Sequence, residues 1–114
     1  MDALFAKMKD YVKMDTEITA EEFQAYYKQV IDRLQEGFDA MAEDTLLQGK
    51  IITTIMSSNA GVRGKRKNND AKKFRKMQEK SKFWTDAIDY RLKKMGLSES
   101  DIEERTAALD KEMQ

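Results

Sequence analysis

TAEEFQAYYKQVIDRLQEGFDAMAEDTLLQGKIITTIMSSNA, residues 19–60, is the stretch whose reading decides how this chain folds. Counted from Leu34 at about 100° per residue, Phe23, Tyr27, Val30, Phe38, Met41, Ile52, Ile55 and Met56 fall within about 60° of it. Asp32, Glu36, Asp39 and Glu43 fall on the opposite side. The pattern predicts one long amphipathic helix over about 19–60, whose apolar stripe needs a partner helix. Its start is marked twice. Thr19 can cap the free N–H groups while Glu22 reciprocates, and Ile18 can pack on Phe23 across the cap. Gly37 and Gly49 lie inside the expected helix, each at a cost of up to about 1 kcal/mol against Ala, and permit a bend or a close crossing. Leu46, Leu47 and Ile51 sit more than about 90° from the stripe. They form a second apolar patch that calls for a third helix or another subunit.

On the C-terminal side, Ser57 to about Asn69 reads as a loop containing Gly61 and Gly64. Phe74, Met77, Ser81, Trp84, Ile88, Leu92 and Met95 then recur at threes and fours, which predicts a second long helix over about 70–95. Phe83, Ala87 and Tyr90 widen its apolar face toward a second neighbour. Gly96 is placed to end that helix in a left-handed turn. Ser98 and Asp101, flanked by Leu97 and Ile102, repeat the cap-and-staple pattern and open a last helix over about 99–111. On the N-terminal side, Leu4, Phe5, Met8, Tyr11 and Val12 predict a short helix within 1–14, broken by Asp15-Thr16-Glu17. The expected architecture is a single all-α domain, 1–114. It is a long antiparallel hairpin of coiled-coil type, 19–60 against 70–95, with short amphipathic helices at both ends.

Composition narrows the chemistry. The 114 residues contain no Cys and no His, so disulfides, thiolate or imidazole metal ligands and the commonest general base are excluded. No nucleophile–base pair or cofactor loop is marked, so the chain reads as non-enzymatic, with no catalytic residue, cofactor or metal site. Asp32, Glu36, Asp39 and Glu43 share a face, but it points away from the core and reads as solvated. No apolar run approaches a membrane span and no secretory h-region opens the chain, which predicts a cytoplasmic protein.

Charge is segregated beneath a formal balance of 21 Lys+Arg against 21 Asp+Glu. Arg63 to Lys82 carries ten cations and two acids, whereas Asp15 to Asp44 carries nine acids and two cations. In a simple hairpin the acidic stretch reaches Lys80 and Lys82 but not the tip. Cations at 72–76 also oppose the dipole of the helix they open. Two functional readings follow. The first is a small self-associating interaction protein, a dimer joined through Leu46, Leu47, Ile51, Phe83 and Tyr90. The second is a protein that binds nucleic acid or another polyanion through Arg63, Lys65, Arg66, Lys67, Lys72, Lys73, Arg75 and Lys76. An acidic protein surface and plain solvent are the remaining partners open to that tip. The Gly61–Gly64 spacing is not a phosphate-binding P-loop. No aromatic lies between Val62 and Phe74 to stack a base at the tip.

Overall fold

A computed structural model describes residues 1–113. It consists of helices α1 (Asp2–Val12), α2 (Ala20–Gly37), α3 (Glu43–Arg63), α4 (Ala71–Lys94) and α5 (Glu99–Met113), with one 3-10 turn at Phe38–Ala40. The all-α bundle with short helices at both chain ends is what the apolar periodicity predicts.

The local signals act where their chemistry sits. The Glu22 N–H donates to Thr19 Oγ1 at 3.1 Å and opens α2. The reciprocal half of that box is not made, because the Glu22 carboxylate accepts from the Tyr11 hydroxyl at 3.3 Å instead. Ser98 and Asp101 do cap each other: the Asp101 N–H donates to Ser98 Oγ at 3.1 Å and the Ser98 N–H to Asp101 Oδ2 at 3.0 Å. Gly96, at φ +101°, ends α4, with the Leu97 N–H returning to the Leu92 carbonyl and the Gly96 N–H to that of Lys93. This is the two-bond left-handed helix stop.

The expected helix over 19–60 is corrected in one respect: it folds in the middle. Gly37 leaves the helical region at φ −132°, residues 38–40 tighten into the 3-10 turn, and Met41 and Ala42 are extended. Glycine is the weakest helix former after proline, and Glu43 and Asp44 favour a new start through the helix dipole. After this break α2 lies antiparallel to α3 and parallel to α4. The Ile18 carbonyl meets Arg63, Phe23 stacks edge-on against Phe74, and Phe38 does the same against Trp84. The α3–α4 pair remains the antiparallel hairpin, with α2 filling its side.

The break also settles the second apolar patch. Leu46, Leu47 and Ile51 are buried within this chain, along with Ile52, Met56 and Ala60 of the same helix. Helices α1, α4 and α5 all pack on α3, and an ion pair between Lys9 and Glu112 brings α1 and α5 together. The patch is thus covered by the chain's own terminal helices, so these three residues are removed from the expected oligomer interface. Gly49 lets the layers close: a Cβ there would stand 3.3 Å from Ile88 Cδ1 and 3.5 Å from Met1 Cε.

Polar pairs fix the α3–α4 register. The Thr85 hydroxyl donates to Thr53 Oγ1 at 2.7 Å, and Thr53 in turn donates to the Lys50 carbonyl. Lys50 pairs with Asp89, which is half-buried between the two helices. Tyr26 ties α1 to α2 by donating to the Leu4 carbonyl at 2.7 Å, and burial pushes its hydroxyl pKa well up. The predicted loop over 57–69 is shorter than its sequence suggests. Helix α3 continues to Arg63 because Ala60, Gly61 and Arg63 are all buried, which leaves a turn of 64–70. No helix among the described residues is long and apolar enough to cross a membrane.

Candidate functional site

The expected anion-binding set divides in two. Arg63 is 6% exposed, with its guanidinium 4.9 Å from the Phe23 ring centre and 5.3 Å from that of Phe74. It donates to the Ile18 carbonyl at 2.6 Å, and Glu17 Oε2 stands 3.9 Å away. A cation sandwiched between two rings with its donor satisfied is part of the core. Arg66 grips Glu17 through two bonds of 2.6 and 2.8 Å, which holds the Glu17 carboxyl below its usual pKa. Arg75 donates to the Gly64 carbonyl at 2.8 Å. These three arginines close the α3–α4 turn and staple it to the segment before α2.

The lysines behave differently. Lys65, Lys67, Lys72, Lys73, Lys76, Lys80 and Lys82 are all exposed. Among the described residues, none of them has a carboxylate within 4.0 Å; the ion pairs there are made by other cations. This reverses the expected division, in which acidic residues reach Lys80 and Lys82 and miss the tip. The folded-back α2 carries Glu17 to the end of α3, so the tip arginines are paired and the α4 lysines are not.

The acids expected on one solvated face separate. Asp32 pairs with Lys28 at 3.0 Å, and Glu43 pairs with Arg105 of α5. Among the described residues, no group of three or more acidic, His or Cys side chains stands close enough to hold a metal ion.

Two apolar features lie outside the core. Phe83 and Tyr90 are 62% and 65% exposed, and Met95, predicted to face the core, is exposed on the same depression as Tyr90. Phe38, Ala87, Arg91 and Lys94 border the shallow depression next to Tyr90. Trp84 is half-buried there, between Phe38 and Phe83 at ring separations of 5.3 and 5.5 Å. A second groove, of about 310 Å³, runs between α1, the 13–18 segment and the end of α3, with Val12, Met14 and Val62 at its rim. Sequence periodicity flags Val12 as a core-facing residue, yet it stays 45% exposed because α1 ends there.

The division of the cations makes a testable distinction. Arg63→Ala should lower the free energy of unfolding by about 2–4 kcal/mol, from the lost charged hydrogen bond and the two ring contacts. Lys67→Ala should leave the urea midpoint unchanged. Equal midpoints for the two variants would contradict a structural role for Arg63. No protein-family model, no curated protein and no solved structure matches this chain.

Proposed function

We propose that this chain is a small non-enzymatic helical protein that binds the phosphate backbone of nucleic acid through its unpaired lysines. The observation that carries the reading is the run of seven exposed lysines, 65–82, none with an ion-pair partner among the described residues, whereas seven of the other fourteen cations have one. A fold gains nothing from placing Lys72 and Lys73 in the first turn of a helix, where the dipole opposes them by a few tenths of a kcal/mol each. A polyanion repays that arrangement by releasing its counterions. An acidic protein surface offers the same charge, but not the even spacing of charge along a backbone.

Self-association as a dimer is the second reading. It rests on the exposed Phe83, Tyr90 and Met95 along α4, since Leu46, Leu47 and Ile51 belong to the chain's own core.

Fluorescence anisotropy with a labelled DNA oligomer tests the first reading. Affinity should fall steeply with salt, with a log–log slope of about −4 if four or five phosphates are neutralised. Lys65, Lys67, Lys72, Lys73 and Lys76 changed together to Glu should abolish binding. Binding that keeps its strength in the quintuple variant, or that ignores salt, would contradict the reading. Sedimentation equilibrium tests the second. A dimer that becomes a monomer on Tyr90→Glu supports it, and a monomer at every concentration removes it.

A further inference from the structure

The apolar stripe of α4 explains one face of the helix, and a second stripe runs beside it. Lys73, Lys76, Lys80, Phe83, Ala87, Tyr90 and Lys94 follow one another at alternating steps of three and four. At about 100° per residue they share a band about 100° wide, centred some 130° from the core-facing Phe74, Met77, Ser81, Ile88 and Leu92. Lys72 and Arg91 fall at the edges of the band. Glu79, Asp86 and Asp89 all fall outside it, toward the other flank of the helix. The band therefore holds five lysines (Lys72, Lys73, Lys76, Lys80 and Lys94), two aromatics and no acid, while Arg91 at its edge donates to the Asp39 carbonyl at 2.6 Å.

Its aromatics are the two most exposed large apolar side chains among the described residues, Phe83 at 62% and Tyr90 at 65%. The fold gives them little to do. Phe83 touches Trp84 edge-on, and the Lys94 ammonium lies 5.3 Å from the Tyr90 ring centre. Along the helix, cations precede and follow the rings over about 30 Å.

We infer that this band is a binding track for single-stranded nucleic acid, with Phe83 and Tyr90 stacking unpaired bases and Lys73, Lys76, Lys80 and Lys94 holding the flanking phosphates. The inference rests on the nucleic-acid reading above and adds the strand preference to it. Exposed rings on a convex helix reach bases only where those bases are not already stacked inside a duplex, whereas lysines serve both forms. A second copy of the chain is the weaker occupant. A two-fold pairing would bring this band against itself and set its cations against like charges.

The test compares an oligo-dT single strand with a duplex of equal phosphate count, by anisotropy at low and moderate salt. The double variant Phe83→Leu with Tyr90→Leu keeps apolar bulk at exposed positions and removes the rings. It should weaken single-strand binding about thirtyfold or more, as expected for losing two stacked bases, and leave duplex binding and both salt slopes unchanged. Tyr90→Phe keeps a ring and should retain the parent affinity for the single strand. Equal loss for both forms, or no loss in the double variant while the lysine-to-Glu variant fails to bind, would overturn the stacking and leave the phosphate reading standing. A parent protein that binds neither form at low salt would overturn both. A parent dimer that dissociates in the double variant with single-strand affinity intact would assign the rings to a second copy and overturn the track.

Discussion

A helix that is apolar round most of its circumference cannot be left facing water on one broad side, and residues 43–63 form such a helix. At about 100° per residue Leu47 and Ile51 point one way from its axis while Ile52, Met56, Ala60 and Leu46 spread over the opposite side, and all six are buried. One partner helix covers only one of those faces. The rest of the chain is arranged accordingly: α4 takes one side, α2 returns beside it after the break at Gly37, and the two terminal helices close what is left. Fixing those terminal helices costs conformational entropy that short amphipathic segments recover only by such packing.

The same arrangement sorts the charges. Because α2 folds back, the Glu17 that precedes it arrives at the end of α3, where it meets Arg63 and Arg66. Arg63 is drawn between Phe23 and Phe74 and becomes a core residue, since its guanidinium can lie flat on rings while a carbonyl accepts its proton. Lysine, with a compact and strongly hydrated ammonium, has no comparable way to be buried. The arginines of the basic stretch accordingly hold the turn together and its lysines stay in water. A sequence run that reads as one patch of charge thus divides into a structural half and a free half.

Those features set by neighbours within a few residues were legible in the sequence. The Thr19 cap, the Ser98–Asp101 pair and the Gly96 stop each involve groups no more than about five residues apart, and each forms. The break at 38–42 was hidden by coincidence, because the stripes of α2 and α3 fall in phase at a helical period although the chain between them is not helical. The misfit of Leu46, Leu47 and Ile51 was the trace it left, together with Gly37 and the acids at 43–44. The burial of Arg63 and the pairing of Asp89 depend on partners about 40 residues away and left no local mark. The second stripe of α4 was present in the spacing all along. It is masked because Phe83, Ala87 and Tyr90 read as a widening of the core face, while Lys73 and Lys76 in line with them read as part of the tip and Lys80 as neutralised by the acidic stretch.

We propose that the functional surface is the set of free lysines of the basic stretch, continued along α4 to Lys94. Amide chemical-shift mapping of the labelled protein, titrated with an oligo-dT strand, tests it most directly. Shifts should be confined to the 64–70 turn and to the residues of α4 that face outward between 72 and 94. Helix α5 and the groove beside Val12 should stay still. Shifts centred on that groove, or a spectrum unmoved by the oligomer at low salt, would contradict it.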